Sequence, residues 1–497
     1  MTKLYSRSGW PRTLVRTALL AAAVAISACQ SQPVDAAQSS GAFATANTRT
    51  LRSFGAAGDG IRDDTASVQA ALAGSGAYCI DGERRRYRIN GSLRATQDLC
   101  LRNATLIQSQ PPFDTRPYIR GTCPVTESTQ ALMDCGDRRL KSHEMAALLR
   151  ATGVRTLLIR PGDDNARIRV RLERVTVDRG RFPEGGSRTD SAGIWLDGAS
   201  RVDFRDVEIT GHGKGYGLFI TRARNVTLSN LWIHDLVWSP YPGDAPLVKE
   251  RVAAVGWNRV PIREFREATA RFHGVRVQEQ ITCAYLADVQ HVRIENLRIN
   301  RCMARFAGGD LPWQADGLTV GRNASDIVVS NATIDSTWEG MDVVAGGAGI
   351  DGLVVAGATI TNSFGYGLKL GYRLRRPRIE NVTVARAGLA GVVVYGPVTD
   401  LQLSQTRISE VGSIATSGGK LVPWPTDAVA GIRIDEGESG DGPGLFTPRN
   451  TVISSVEVSG GNYDFGILNK GAAQVRVTNF RAAGFRKTAR LDTARDR

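Results

Sequence analysis

A short motif recurs between residues 193 and 468 and constrains the fold more than any other feature of the chain. It consists of a glycine, an apolar residue, any residue and a second apolar residue, repeated mostly at intervals of about 24 residues. The copies begin at Gly193, Gly217, Gly317, Gly340, Gly367, Gly391, Gly431 and Gly466. Such self-similarity, without helical segments between the copies, predicts stacked coils whose short strands pair in parallel about 4.8 Å apart.

A second pattern lies between the glycine motifs. It alternates apolar and other residues around a central Asn or Asp, as in VDFRDVEI (202–209) and VRIENLRI (292–299). The central position is held by Asn103, Asp206, Asn230, Asn296, Asn331, Asn381 and Asn479. Polar side chains stacked in successive turns can hydrogen-bond from coil to coil. We therefore predict that these residues form a structural ladder and carry no chemistry.

The ends of such a stack must be covered, and residues 51–74 provide an N-terminal cover. The segment predicts a helix that starts near Thr65, with Asp63 or Asp64 as its cap. Val68, Ala71 and Leu72 would form its inner face. The sequence therefore predicts an all-β solenoid with a short capping helix.

The segment FGAAGDGIRDDTASVQAAL (54–72) resembles the opening of pectate-lyase-like proteins, which carry FGA, GDG, DDT and QxA in this order. The resemblance implies a right-handed parallel β-helix. The superfamily includes polysaccharide lyases, polygalacturonase-type hydrolases, mannuronan epimerases and phage tail-spike enzymes. The opening motif is specific for the fold and not for the reaction. The DPHE string of the epimerases is absent from this chain, which argues against epimerisation.

The first 29 residues predict export. Four basic residues precede a short apolar run that ends in Ser27, Ala28 and Cys29, which is typical of a secretory signal. Residues 26–29 also resemble a bacterial lipobox, so we predict lipidation at Cys29, with ordinary signal cleavage as the alternative. Export to the periplasm or outer membrane excludes nucleic acid as partner despite the net charge of +14. The basic surface then favours an acidic polysaccharide, with membrane contact only through the lipid.

The remaining chain is expected to form one domain and to be monomeric. Residues 30–48, rich in Ser, Ala and Gln, predict a flexible tether, and residues 49–490 the β-helix. Insertions at about 108–150 and 234–282 break the period. They are interpreted as loops that border the binding face or as lateral decoration.

Six cysteines remain besides Cys29, which suggests disulfides in an oxidising compartment. The simplest pairing joins sequence neighbours, with buried free thiols as the alternative. These pairs are Cys79–Cys100, Cys123–Cys135 and Cys283–Cys302. A zinc site is not expected, because the spacings typical of zinc ligands are absent.

The variable position of the glycine motif lies on the outer face, because the two apolar residues share the inner one. Stacking the motifs predicts a single outer column of these positions. The column reads Trp195, Phe219, Thr319, Asp342, Lys369, Val393, Arg433 and Leu468. Its charged part centres on the coils that begin at Gly317, Gly340 and Gly367.

Further candidate residues surround this charged part. Asp316 and Glu339 directly precede two of the glycines, and Tyr372 and Arg373 follow Lys369. Aromatic rings in these coils can stack on sugars. The predicted substrate-binding residues are Trp313, Trp338, Glu339, Arg322, Tyr395 and Arg433.

Cleavage of a uronic-acid polymer by β-elimination requires a neutralised carboxylate, a base and an acid. We predict Lys369 as the base, Arg373 as the charge-stabilising partner, Tyr372 as the acid and Asp342 as a further catalytic residue. The order Asp316, Glu339, Asp342 and Lys369 resembles that of calcium-dependent pectate-lyase-like enzymes. The resemblance implies that the three carboxylates hold Ca²⁺.

Three other interpretations stay open. Asp316 with Glu339 or Asp342 can serve as the acid and base of a hydrolase. However, the Asp-Asp pair and the Arg-x-Lys of polygalacturonases are absent, and the GHG at 211–213 precedes the groove. A non-catalytic glycan-binding envelope protein would bind and never cut. Finally, Asp342 and Lys369 can form a plain ion pair, which would raise the pKa of the lysine and prevent it from acting as a base.

Overall fold

The computed structural model describes 14 segments of the chain. They are residues 47–110, 154–180, 191–212, 215–238, 281–306, 309–311, 315–344, 348–415, 421–423, 429–438, 445–461, 465–471, 473–484 and 487–492. Cys29, Cys123, Cys135 and Trp313 lie outside the described residues, as do the signal segment and most of both insertions.

One sheet of 30 described strands, nearly all paired in parallel, winds through three walls. The first, which we call the site wall, contains the short strands Leu93–Ala95, Arg155–Ile159, Ala315–Val320, Met341–Val344, Tyr366–Gly371, Ala390–Tyr395, Ala430–Asp435, Phe465–Lys470 and Lys487–Asp492. Three longer strands begin in it and continue into the next walls, namely Ala192–His212, Tyr216–Trp238 and Ile281–Glu295.

The second and third walls are built in the same way. The second contains Thr48–Thr50, Ala324–Ser330, Ile350–Ala356, Leu374–Arg375, Arg378–Glu380 and Val398–Thr399. The third contains Asp59–Asp63, Arg298–Phe306, Thr333–Thr337, Thr359–Ser363 and Thr383–Ala387. Strands that pass from the second wall to the third are Cys79–Ile89, Leu99–Gln108, Ile168–Asp178, Gln402–Val411, Arg449–Gly461 and Ala473–Ala483.

Small antiparallel pairings accompany the coils. They join Gly309–Leu311 to Arg298–Phe306, Ser413–Ala415 to Leu421–Pro423 and Gly437–Glu438 to Leu445–Phe446. The prediction of an all-β chain with parallel strands is confirmed. The walls close around a continuous apolar core, so the architecture is a closed tube and not an open stack of sheets.

Close packing explains why the motif requires glycine. A Cβ atom at Gly367 would collide with the side chain of Val384 and lie 2.7 Å from the carbonyl oxygen of Gly391 in the next coil. The same two obstacles, a branched side chain of the third wall and the next glycine's carbonyl, recur at Gly340, Gly391 and Gly431. The repeat therefore marks the corner where the site wall passes closest to the third wall.

We expect Gly367→Ala to destabilise the protein by about 1–3 kcal/mol, because the added methyl group overpacks this corner. Thermal unfolding followed by circular dichroism measures the effect. Gly162→Ala is the matched control, since a Cβ there meets nothing within 4 Å. Equal melting temperatures for the two variants would contradict the packing explanation.

The predicted polar ladder is present at the bend between the second and third walls. Asn230 Nδ2 donates to Asp206 Oδ1 at 2.8 Å, and Asn296 Nδ2 donates to Asn230 Oδ1 at 2.9 Å. All seven predicted positions adopt a positive φ, between 49° and 56°. Asn and Asp tolerate this left-handed conformation better than other non-glycine residues, which explains the pattern.

The capping helix, α1, spans Thr65–Ala73 and buries Val68, Ala71 and Leu72, as predicted. Asp63 Oδ1 accepts a hydrogen bond from the Thr65 N–H at 3.0 Å. Asp64 instead accepts the N–H groups of Ala57 and Gly58. Two 3₁₀ turns, Leu51–Phe54 and Ser75–Ala77, flank the helix region.

Two of the predicted disulfides are confirmed. Cys79–Cys100 and Cys283–Cys302 have Cα–Cα distances of 4.7 and 6.1 Å. Each bond joins sequence neighbours among the cysteines. No helix in the described part of the chain has the length and apolar character needed to span a membrane.

Candidate active site

The outer face of the site wall carries one continuous column of side chains. Strand pairing places Trp195, Phe219, Tyr285, Thr319, Asp342 and Lys369 directly over one another in successive coils. Beyond Lys369 the column continues through Val393 to Arg433 and Leu468. This register agrees with the spacing of the glycine motif and adds one residue, Tyr285.

Four charged side chains converge on this column. Lys369 Nζ lies 2.9 Å from Glu339 Oε2 and 3.2 Å from Asp342 Oδ1. One carboxylate oxygen each from Asp316, Glu339 and Asp342 lies within 4.8 Å of the others. We call these four residues the acid–lysine cluster. All three carboxyl groups are buried, and Asp316 is only 3% exposed.

Burial controls protonation in the acid–lysine cluster. It raises the pKa of Asp316 to about 8, and the negative charge of Asp342 adds to this effect. The pKa of Glu339 is likewise raised well above its usual value by burial and by Asp342. Burial alone would lower the pKa of Lys369, but the charges of Asp342 and Glu339 outweigh it and raise that pKa well above 10.5.

These shifts correct the predicted role of Lys369. A general base must be able to lose its proton near neutral pH, and the raised pKa keeps this lysine protonated. Its ammonium group instead forms ion pairs with Glu339 and Asp342.

The cluster also allows a test of the predicted Ca²⁺ site. Three closely spaced carboxylates are oxygen donors of the type that Ca²⁺ prefers, so the cluster could hold a metal ion. However, the Lys369 ammonium already contacts two of the three carboxylates. A metal ion in the cluster would therefore share Glu339 and Asp342 with Lys369, and we derive no catalytic step through a metal.

An aromatic stack approaches the cluster from the N-terminal side of the column. The rings of Trp195 and Phe219 stack with centroids 4.1 Å apart, and those of Phe219 and Tyr285 stack at 5.3 Å with an interplanar angle of 2°. Both faces of the Phe219 ring are thus covered. The stack ends at Thr319, whose small side chain lies between Tyr285 and Asp342 in the column.

This interruption coincides with a cleft of about 370 Å³, lined by Tyr285, Thr319, Arg322 and Asp342 among others. Thr319 Oγ1, in the lining of this cleft, has no hydrogen-bond partner among the described residues. The same holds for Asp316 Oδ1, three residues earlier in the same strand and outside the lining. Buried polar atoms are normally satisfied, so Thr319 Oγ1 suits a ligand that brings hydroxyl groups. We call the space between Tyr285 and Asp342 the sugar slot.

The structure brings only two of the four predicted catalytic residues together. Asp342 and Lys369 are in contact, whereas Tyr372 and Arg373 lie in the turn after the strand Tyr366–Gly371, both with a φ of 50°. The Tyr372 ring contacts that of Tyr395 edge-on, with centroids 5.0 Å apart. Neither residue lines the sugar slot, so the roles predicted for them as acid and charge-stabilising partner do not fit this geometry.

The predicted substrate-binding residues likewise lie at different places along the column. Arg322 lines the slot, with its Nε 3.2 Å from Asp288 Oδ2. Tyr395 lies beside Lys369, whose Nζ is 5.8 Å from the ring centroid, and burial raises the pKa of its phenol. Arg433 pairs with Asp435 two coils beyond Lys369.

Trp338 does not fit its prediction. It is only 6% exposed and packs against Phe364 with ring centroids 4.7 Å apart, so it belongs to the core.

Tyr285 is the residue that the sequence patterns missed. Cys283 takes the place of the motif glycine in this coil, since its partner Cys302 requires a side chain there. The distance to the second pattern could have identified the coil. Cys283 precedes Val292 by nine residues, the same offset that separates Gly217 from Val226.

The raised pKa of Asp316 predicts how the stability of the protein depends on pH. The folded chain keeps a proton that the unfolded chain releases above its ordinary pKa of 3.8, so stability falls as pH rises from about 4 to about 8. Asp316→Asn removes this loss. The variant should therefore gain stability relative to the natural protein as pH rises, with the two close together at pH 4.

Melting temperatures of both proteins at pH 4, 6 and 8 measure this difference. Glu295→Gln, at an exposed carboxylate of the second wall, should follow the natural protein at all three values. Parallel pH curves for Asp316→Asn and the natural protein would show that Asp316 is ionised in the folded state.

Comparison with known proteins defines the fold. No protein-family model and no curated protein sequence matches the chain. Among solved structures, the A-module of mannuronan C-5 epimerase AlgE4 from Azotobacter vinelandii is similar at 15% identity and a TM-score of 0.51, over 90% of this chain and 98% of that one.

Two further structures are similar at lower scores. An endo-xylogalacturonan hydrolase from Aspergillus tubingensis has 12% identity and a TM-score of 0.44, over 90% of this chain and 96% of that one. The surface adhesin PfbA of Streptococcus pneumoniae has 10% identity and a TM-score of 0.43, over 89% and 91%. The parallel β-helix fold of this chain is similar to that of the AlgE4 A-module. At this level of identity the likeness concerns the fold alone.

Proposed function

We propose that this protein is an exported enzyme that cleaves an acidic, uronic-acid-containing polysaccharide by β-elimination in the sugar slot. One observation carries the proposal: the aromatic stack stops two coils before Asp342, and the space left there is lined by a tyrosine, a guanidinium and a carboxylate. A sugar ring in the slot would stack on Tyr285. One of its hydroxyl groups would satisfy Thr319 Oγ1.

Each requirement of the elimination has a candidate within the slot. Arg322 is the cation that meets the carboxylate of the uronic acid, because its side chain is 63% exposed and can turn from Asp288. Asp342 is the base that takes the proton from the carbon next to that carboxylate. The electron pair then forms the carbon–carbon double bond as the glycosidic oxygen leaves.

Tyr285 is the candidate that protonates the leaving oxygen. Burial raises the pKa of its phenol, so the group carries its proton at neutral pH. This assignment moves the acid from Tyr372 to Tyr285 and the base from Lys369 to Asp342. Lys369 supports the reaction indirectly, since its ammonium lies 3.2 Å from Asp342 Oδ1 and holds that side chain in position.

Hydrolysis is the second candidate, and the protonated state of Asp316 favours it. A carboxylic acid with a pKa of about 8 beside the carboxylate of Asp342 is the acid and base pair that glycosidases need. Oxygens of the two groups lie within 4.8 Å. This spacing is closer to the roughly 5–5.5 Å of retaining enzymes than to the 6.5–9.5 Å of inverting ones.

A panel of acidic and neutral polysaccharides, tested with and without chelator, separates these reactions. Elimination produces an unsaturated, ultraviolet-absorbing product together with new reducing ends. We expect this result on a uronic-acid polymer, and we expect it to survive chelation. Reducing ends without ultraviolet absorbance would establish hydrolysis. Binding without either product would identify a non-catalytic glycan-binding protein.

A further inference from the structure

An exposed apolar side chain lies at the N-terminal end of the fold. Ile61 is 72% exposed, the highest value for a large apolar residue in the described part of the chain. It belongs to the strand Asp59–Asp63, whose pairing partner is the strand Cys79–Ile89 of the first coil. Ile61 therefore stands at the outermost edge of the third wall, where burial against another surface would be favourable.

Exposed arginines surround Ile61. Arg62 follows it directly, and Arg88 Nη1 donates to the Ile61 carbonyl oxygen at 3.1 Å. Arg86 lies opposite Asp59 in the strand pairing. We define the end patch as Ile61 with Arg62, Arg84, Arg85, Arg86 and Arg88, all of which are exposed.

The acidic side chains near Ile61 accept hydrogen bonds from backbone N–H groups. Asp59 Oδ1 accepts the N–H groups of Ile61 and Arg62, at 2.8 and 2.9 Å. Asp63 Oδ1 accepts the Thr65 N–H at the start of α1. With Glu83, three acidic side chains stand against five arginines, so the end patch keeps a surplus of positive charge.

The entry point of the chain lies in the same coil. Thr48–Thr50 pairs with Cys79–Asp81, the first part of the strand that bears Arg84 to Arg88. The predicted lipid-bearing residue, Cys29, precedes Thr48 by 19 positions along the predicted tether. A chain held at Cys29 would thus bring this end of the fold nearest to the membrane.

We infer that the end patch binds the phosphate headgroups of an anionic bilayer, with Ile61 entering the interfacial region. The arginines supply the electrostatic attraction and the apolar side chain supplies insertion. This second contact would support a single lipid chain, which by itself binds membranes only marginally.

A second copy of the chain is the competing occupant of this edge, because an edge strand can pair with another edge strand. In an antiparallel pairing of two such edges, the arginines of both copies would face each other without counter-charges. The charge of the patch therefore favours lipid phosphate over self-association.

Vesicle co-sedimentation tests the inference with the full chain made lipid-free by Cys29→Ser. The probes are vesicles of phosphatidylglycerol and phosphatidylethanolamine (1:3) and vesicles of phosphatidylcholine alone. We expect binding to the anionic vesicles that weakens with salt. The double variant Arg62→Gln/Arg86→Gln should lose about 25-fold in affinity. Ile61→Ser should lose about tenfold.

Arg293→Gln, at an exposed arginine of the second wall, is the matched control and should bind as the parent does. Unchanged melting temperatures show that each variant is folded. Equal binding to both vesicle types, or equal losses in the patch variant and the control, overturns the inference. So does a dimer in sedimentation velocity that Ile61→Ser dissociates while vesicle binding is absent.

Discussion

Replacing Asp342 with asparagine is expected to reduce the catalytic rate on the polysaccharide by roughly 10²–10⁴-fold, the usual contribution of a general base. The amide keeps the shape of the side chain and cannot accept the proton. Lys369 retains its contact with Glu339 Oε2 at 2.9 Å, so the cluster should remain assembled. The loss should appear in kcat, with little change in KM, because the amide still fits beside the slot.

Initial rates of product formation, followed by ultraviolet absorbance and by reducing ends, measure this loss. Asp326→Asn, at an exposed carboxylate on another wall, is the matched control and should retain full activity. Activity of Asp342→Asn within a few-fold of the natural protein would remove Asp342 from the chemistry. The base would then have to be sought elsewhere in the cleft.

The fold of this chain is highly predictable because its packing repeats. Each glycine of the motif marks a corner where a Cβ atom would strike the next wall, and each central Asn or Asp marks a bend with positive φ. Both constraints act within a single coil and recur in the next. The register of Asp342 on Lys369 therefore follows from spacing alone.

The protonation states of the acid–lysine cluster could not be predicted from the spacing of the motifs. The sequence places Asp342 beside Lys369, but the pKa of a lysine depends on how many carboxylates surround it and how deeply they are buried. Glu339 reaches Lys369 from the bend before Gly340, a contact that strand alternation does not predict. The charges of Asp342 and Glu339 together raise the pKa of Lys369.

The sequence patterns did not identify the aromatic side of the slot, because a disulfide bond interrupts the glycine motif there. The coil of Tyr285 lacks the motif glycine because Cys283 forms a disulfide with Cys302. A pattern built on glycine therefore skips the coil that forms one side of the slot. Trp338 shows the converse error, since its position near the motif suggested a sugar contact while its ring is needed to fill the core beside Phe364.

Filling the sugar slot provides the second strong test. Thr319→Tyr would place a ring one coil beyond Tyr285, at the strand spacing of about 4.8 Å, and so continue the stack of Trp195, Phe219 and Tyr285. Stacked aromatic pairs contribute about 0.5–1.5 kcal/mol, which should offset the cost of the larger side chain. We therefore expect a folded protein whose substrate can no longer enter.

Affinity for oligosaccharide, measured by calorimetry, should fall at least about 100-fold, since a ring in the slot excludes the sugar and replaces the Thr319 hydroxyl group. Thr333→Tyr makes the same substitution on the exposed third wall and should change neither affinity nor activity. If Thr319→Tyr is folded and still binds and cleaves normally, the substrate does not occupy the gap between Tyr285 and Asp342. In that case Asp342 would act on a sugar approaching from the Lys369 side of the column, where Tyr395 would be the adjacent aromatic ring.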